Sequence, residues 1–276
     1  SPRKMNDYAK GLLRERGIAK AEKKASRIAA EGIVACYIEG STGVLLEVNC
    51  ESDFVAKNPR FTEIATEIAK VIAKENPADV NALLGCAIEG AANVEEYLKG
   101  QTAVIGEKIA VRRFTLYKTN GFLSSYIHLG GKLGVMLDMK GEATETSKEV
   151  AHEVTLQIAF TKPAYLTEEE VSAETLEKEK EVLKQQAINE GKPEAIAEKM
   201  VAGRIKKYYE DFCLLEQPFV KDSSKTISQL ITEAIAAIGE KITVRRFARF
   251  EMGEGIEKRK DDLAEEVEKQ VSKMKG

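Results

Sequence analysis

Ile105-Gly106-Glu107-Lys108-Ile109-Ala110-Val111-Arg112-Arg113-Phe114 returns later in the chain as Ile238-Gly239-Glu240-Lys241-Ile242-Thr243-Val244-Arg245-Arg246-Phe247, the copies differing only in Ala110 against Thr243. A match of that length is a duplication, and each copy reads as a strand that closes one half of a repeated unit. A weaker echo precedes each copy. Tyr37-Ile38 followed by Gly43-Val44-Leu45-Leu46-Glu47-Val48 resembles Tyr126-Ile127 followed by Gly134-Val135-Met136-Leu137-Asp138-Met139. Both read as β-hairpins with glycine in the turn.

A helix-period segment follows each hairpin. Phe61, Ile64, Ala65, Ile68, Ala69 and Ile72 form one apolar stripe, and Val150, Val154 and Ile158 form the other. The expected class is therefore α+β: two related subdomains of small antiparallel sheets covered by helices. The first spans 32–118 and the second comprises 119–166 and 212–252. Between those two pieces, 167–211 reads as an inserted antiparallel helical hairpin. Thr167-Glu168-Glu169-Glu170 has the pattern of a capping box, and Gly191-Lys192-Pro193 breaks two charged helical stretches. Leu176, Leu183 and Ala187 on the first would face Ile196, Met200, Val201, Ile205 and Tyr208 on the second. Residues 1–31 read as helical, with Gly17 stopping one helix and Glu31-Gly32 ending another. A C-terminal helical module, 253–276, carries Leu263, Val267, Val271 and Met274 on one stripe.

The 276 residues are too many for one small domain and carry a net charge of only -3, which argues against a nucleic-acid binder held by phosphate contacts. Cys36, Cys50, Cys86 and Cys213 are widely spaced without a C-x-x-C pair, so neither a zinc site nor a disulfide framework is indicated and the thiols read as reduced and mostly buried. No apolar run approaches the roughly 20 residues that cross a bilayer. The expected setting is cytoplasmic, with no membrane partner.

The run Glu47-Val48-Asn49-Cys50-Glu51-Ser52-Asp53-Phe54-Val55-Ala56-Lys57-Asn58 places a large aromatic in a short connection. Val44–Val48 reads as a strand, and Asn58-Pro59 as the cap and first residue of a helix. Phe54 between them is either a lid over the protein's own core, with Asp53 capping a helical turn, or a wedge meant for a partner.

No catalytic constellation is legible. His152 sits in a helix beside Ala151 and Glu153 and reads as solvent-facing; His128 precedes Leu129-Gly130-Gly131-Lys132, a tight hairpin tip. Neither has ligand partners or an adjacent nucleophile motif. Gly130-Gly131-Lys132 lacks the spacing of a phosphate loop, and the acidic runs read as solvated helix faces. No cofactor and no metal are expected.

The run from Glu47 to Lys57 resembles the signature of the bacterial elongation factor Ts family, the guanine-nucleotide exchange factors of elongation factor Tu. Other pieces occur in the family's order: Ala19-Lys20-Ala21-Glu22-Lys23-Lys24-Ala25 with Ala29-Ala30-Glu31-Gly32, Tyr126-Ile127-His128 with Leu133-Gly134-Val135, both I-G-E-K-I copies, and Gly191-Lys192-Pro193-Glu194 through Gly203-Arg204. Gln217-Pro218-Phe219-Val220 and Gly253-Glu254-Gly255-Ile256-Glu257-Lys258 continue it. The resemblance covers about Asp7 to Glu268. It departs from the family in two ways. Of the family's N-terminal three-helix module, only what resembles its last helix, near Met5–Arg16, precedes the linker. Ser52 stands where the family usually has threonine.

The resemblance implies elongation factor Tu as partner. It assigns Ser52, Asp53, Phe54 and Val55 to dislocation of the partner's magnesium site, with Phe54 wedging between partner helices. Ile105 and His128, and Leu263 and Val267 in the C-terminal helix, would supply further partner contacts. The implied activity is exchange without covalent chemistry. A non-catalytic coiled-coil scaffold is the alternative, and an enzyme using His128 and acidic residues a more distant one.

Overall fold

In the computed structural model, which describes residues 2–257 and 270–274, two three-stranded antiparallel sheets lie face to face with helices on their outer sides. The class is α+β. The first sheet has the order β1 (Glu31–Glu39), β2 (Thr42–Cys50), β3 (Ala110–Lys118). The second repeats it with β4 (Phe122–His128), β5 (Leu133–Lys140) and β8 (Thr243–Glu251).

The outer face of the first sheet carries Val44, Leu46 and Val48 against α3 (Pro59–Glu75), whose stripe Phe61, Ile64, Ala65, Ile68, Ala69 and Ile72 is buried. Helix α3 starts where expected: the Asn58 side chain accepts from the Arg60 N–H, Pro59 occupies the first turn, and Asn76 closes the helix in the left-handed region. Around it lie α1 (Pro2–Lys24), the four-residue α2 (Asp53–Ala56), α4 (Val80–Leu84) and α5 (Val94–Ile105). On the second sheet, α6 (Glu145–Thr161) buries Val154 and Ile158 over Val135, Leu137 and Met139, beside α9 (Ile227–Ile238).

Between the sheets the repeat becomes an approximate two-fold relation. Alternation along β2 and β5 turns Leu45 and Glu47, Met136 and Asp138, to the inner side. Val34, Leu45, Tyr117, Met136 and Phe250 form the shared core there. Glu47 and Asp138 are fully buried, and each pairs with the arginines of its own repeat copy: Arg113 Nε lies 2.7 Å from Glu47 Oε1, and Arg246 Nε 2.9 Å from Asp138 Oδ2. Both strand pairs slip by one residue at this point, Glu47 facing Arg113 and Asp138 facing Arg246 before Val48 and Met139 resume opposite Val111 and Val244. The bulge is what turns two successive arginines toward one carboxylate. The guanidiniums then cross to the other sheet: Arg113 stacks 4.4 Å from the centre of the Phe250 ring, and Arg246 4.2 Å from that of Tyr117.

The inserted segment forms α7 (Ala173–Asn189) and α8 (Glu194–Phe212), packed together through Ala187, Ala197, Val201 and Ile205. The chain re-enters the body by a small hairpin, β6 (Pro218–Phe219) with β7 (Asp222–Thr226).

Several expectations need correction. Gly17 does not stop a helix; α1 runs through it to Lys24 and packs along α5, where a Cβ on Gly17 would meet that of Ala103 at an ordinary contact distance of 3.4 Å. Glu31-Gly32 opens β1, and Gly32 is required because a Cβ would fall 2.1 Å from the Val48 carbonyl oxygen. The I-G-E-K-I copies are not strands throughout. Ile105 and Ile238 end helices, Gly106 and Gly239 close them at φ 87° and 77°, and the strands begin only at Ala110 and Thr243. Thr167 caps nothing with its side chain; Glu168–Glu170 make a single tight turn, and Ser172 caps α7 by accepting from the Thr175 N–H. Ile196 is exposed, Ala197 taking its place in the hairpin seam. Of the four thiols, Cys50 and Cys213 are buried while Cys36 and Cys86 are half-buried.

Candidate interaction site

Phe54 is 90% exposed. That removes the lid reading, since a lid must cover something. The ring sits on α2, a single turn between the end of β2 and α3, and the turn is fixed by polar contacts at its start. Ser52 is the N-cap, not Asp53: its Oγ accepts from the Val55 N–H at 3.2 Å and donates to Glu107 Oε2 at 2.6 Å. Glu107 Oε1 also accepts from the backbone N–H groups of Ser52 and Glu51, at 2.8 and 3.1 Å. Glu51 returns the contact by accepting from the Lys108 N–H at 2.8 Å. The first repeat copy thus clamps the signature run through Glu107 and Lys108, and Ile105 ends α5 two residues before Glu107. Ile105 itself is half-buried against the first core.

Asp53 stands at the first helical position with its carboxylate between two ammonium groups. Lys132 Nζ is 2.7 Å from Oδ1 and Lys57 Nζ 2.9 Å from Oδ2. The Lys132 hydrogen bond, followed by that of Lys57, holds the Asp53 pKa down to about 2. Val55 is half-buried and packs on the first core, which roots the turn while Phe54 projects.

Lys132 belongs to the tip of the second hairpin, so the tip and the Phe54 turn meet. The contact is backbone-deep: the Val34 N–H donates to the Gly131 carbonyl at 2.7 Å. His128 ends β4 at this tip. Its Nδ1 shares a 2.7 Å hydrogen bond with the Tyr126 hydroxyl, and its ring meets Phe160 edge-on at 5.4 Å between centres. His128 therefore has a local bond within its own hairpin. Beside it Leu129 is 73% and Phe160 60% exposed, leaving an apolar shelf open to solvent. His152 is exposed, as the sequence suggested. Leu263 and Val267 lie outside the described residues; Val271 and Met274, on the same expected stripe, are exposed.

Glu107 and Lys132 escaped sequence reasoning. Glu107 had a usable signal, because it sits inside the strongest repeat, but Glu240, its counterpart, is exposed and makes no such clamp. Among the described residues no group of His, Cys, Asp and Glu side chains is arranged to hold a metal ion, and no helix is long and apolar enough to cross a membrane. Burial raises the Cys36 and Cys213 thiols to about 11 and Cys50 to about 12, the opposite of what a nucleophilic cysteine needs.

The family model described as "Elongation factor TS" matches residues 51–254. The chain is 47% identical over 266 residues to "Elongation factor Ts" of Clostridium perfringens (strain SM101 / Type A), covering 95% of this chain and 88% of that one. The same figures hold for "Elongation factor Ts" of Clostridium botulinum (strain Alaska E43 / Type E3).

Proposed function

Because the chain belongs to the elongation factor Ts family of translation elongation factors, we propose that it is the guanine-nucleotide exchange factor of elongation factor Tu, binding the GDP-loaded partner and promoting GDP release so that GTP can enter. The carrying observation is the exposed Phe54 on a turn rooted by Val55 and clamped by Glu107. An aromatic held rigidly in water loses nothing internal when it enters a partner. Ser52 and Asp53 give the turn its shape and charge, and Phe54 wedges between partner helices close to the magnesium site. Displacing the metal exposes the diphosphate's charge, and the nucleotide leaves.

The energies require a broad surface. Weakening nucleotide binding by about 10⁴-fold takes about 5.5 kcal/mol of coupling, whereas burying one phenylalanine supplies about 1.5–3 kcal/mol. Ile105 at the end of α5, His128 with the hairpin tip, and Leu263 and Val267 in the C-terminal segment are proposed to supply the remainder. The reaction needs no covalent chemistry, metal or cofactor of the factor's own, and its place is the cytoplasm.

The domain division proposed for this chain follows the sheets. Residues 32–118 form one core subdomain, 119–166 with 212–252 form the second, and 167–211, 1–31 and 253–276 are appended parts. Each sheet having its own outer core supports it.

The test is release of fluorescent GDP from elongation factor Tu. Acceleration that saturates with factor concentration is expected. Binding to the partner with no change in release would leave a coiled-coil scaffold as the better reading.

A further inference from the structure

A turn as short as α2 has almost no stability of its own, since one helical turn fixes several residues for a single backbone bond. Phe54 does not help, because its ring is outside. The turn is held at its start by Ser52 and Glu107, and on its solvent side by what grips Asp53. Of the two gripping lysines, Lys57 lies in the cap of the same turn and moves with it. Lys132 does not. It comes from the other sheet, and its backbone is pinned on both sides: the preceding Gly131 carbonyl accepts from Val34 of β1, and the Lys132 carbonyl accepts from the Met252 N–H at 2.9 Å.

The approach of the tip is as close as a backbone allows. Gly131 has φ 110°, and a Cβ on it would stand 2.8 Å from the Ile33 Cβ. The ammonium is therefore aimed from a rigid base at both Asp53 and Glu31, the latter 3.7 Å away.

We propose that Lys132 is a positioning residue for the exchange reaction, holding the Asp53 carboxylate, and through it the Phe54 turn, in the orientation offered to the partner. The inference rests on the exchange reading above. In physical terms Lys132 preorganises the wedge: ordering a loose turn at the moment of binding costs affinity, and a turn already ordered avoids that cost. Lys132 also makes one body of the two surfaces, because the residue that grips Asp53 follows His128 on the same hairpin. With its pKa near 2, Asp53 keeps the charge this needs throughout the neutral range.

The experiment uses the full chain with Lys132→Met, Lys132→Arg, Asp53→Asn and the Asp53→Asn/Lys132→Met double variant. Two readouts are taken: amide hydrogen exchange at Ala56 and Lys57 in the isolated factor, and saturating GDP release from elongation factor Tu. Lys132→Met is expected to speed amide exchange in the turn and to slow maximal release by about threefold, the scale of a partly exposed ion pair. Lys132→Arg is expected to restore both. In the Asp53→Asn background Lys132→Met is expected to add much less than it does alone, since the carboxylate it grips is gone and only the longer contact to Glu31 remains. Wild-type behaviour of Lys132→Met, or a full additional loss in the double variant, would overturn the proposal. Should the wild-type factor itself leave GDP release unchanged, the exchange reading fails instead, and the amide exchange still decides whether Lys132 orders the turn.

Discussion

Glu47 is fully buried, and burial alone would push its carboxyl toward the neutral form. The Gly253 N–H, Asn49 and Arg113 outweigh that, so its pKa lies below the ordinary 4.5. A carboxylate with a lowered native pKa contributes stability that is complete above the unfolded value and lost as pH falls through the folded one. Stability is therefore expected to decline below about pH 4.5. Glu47→Gln leaves two arginines facing an uncharged amide; it is expected to cost about 3–5 kcal/mol at neutral pH and to flatten the acid limb, as urea melts at pH 7 and pH 4 can show. Asp138→Asn is expected to cost less, because Asp138 Oδ1 has no hydrogen-bond partner to lose. Phe54 is the opposite kind of residue. With 90% of it exposed, Phe54→Ala is expected to move stability by no more than about 0.5 kcal/mol while slowing GDP release by about tenfold or more. A large drop in melting temperature with normal release would reverse that assignment. Phe54 was legible in the sequence because Asn58-Pro59 and the preceding strand bracket it within a few residues. Glu107 and Lys132 were not, because their contacts with Ser52 and Asp53 span 55 and 79 positions and follow from the packing of distant turns.

At the level of elements, periodicity located what periodicity can see. The stripe of α3 and the two hairpins stand where the spacing put them. Glycine was harder to read, because one residue serves different ends: Gly106 closes a helix in the left-handed region, Gly17 lies within a helix that runs on past it, and Gly32 admits a neighbouring carbonyl. Nothing within a few residues of each distinguishes these uses; the neighbour across the fold does. The same logic makes Gly131→Ala a sharp test of the sheet-to-tip contact. A Cβ there needs both a strained φ and the space of Ile33, so a loss of about 1–3 kcal/mol is expected, with slower GDP release as the tip lifts from β1. Normal release in a folded Gly131→Ala protein would show that the tip contact is dispensable. The α7–α8 hairpin is tied in differently. Its two ends meet where the Ala164 and Tyr165 N–H groups donate to the Phe212 carbonyl at 2.9 and 3.0 Å, so a short linker can close the gap. Replacing residues 172–208 by a flexible linker is expected to leave a cooperative thermal transition, and loss of that transition would mean the hairpin is part of the core.

On the scale of the whole molecule, the buried core between the sheets and the reciprocal Arg113–Phe250 and Arg246–Tyr117 stacks join them in one body, which carries the Phe54 turn, the Ile105 helix end and the His128 shelf together. Such a body engages a partner at several points for one loss of rotational freedom. It also makes the proposed exchange a linkage problem with a checkable closure. If the factor weakens GDP binding by some ratio, GDP must weaken factor binding by that same ratio. Four dissociation constants test this: GDP on elongation factor Tu with and without the factor, and the factor on GDP-loaded and nucleotide-free elongation factor Tu. The two ratios are expected to agree, near about 10⁴ if the coupling is about 5.5 kcal/mol. In Phe54→Ala both ratios are expected to fall together by about 10- to 150-fold, the value of one buried phenylalanine. A coupling well above unity would remain, supplied by the other contacts. Collapse of both ratios to unity would mean that Phe54 alone carries the exchange and that the rest of the body merely presents it.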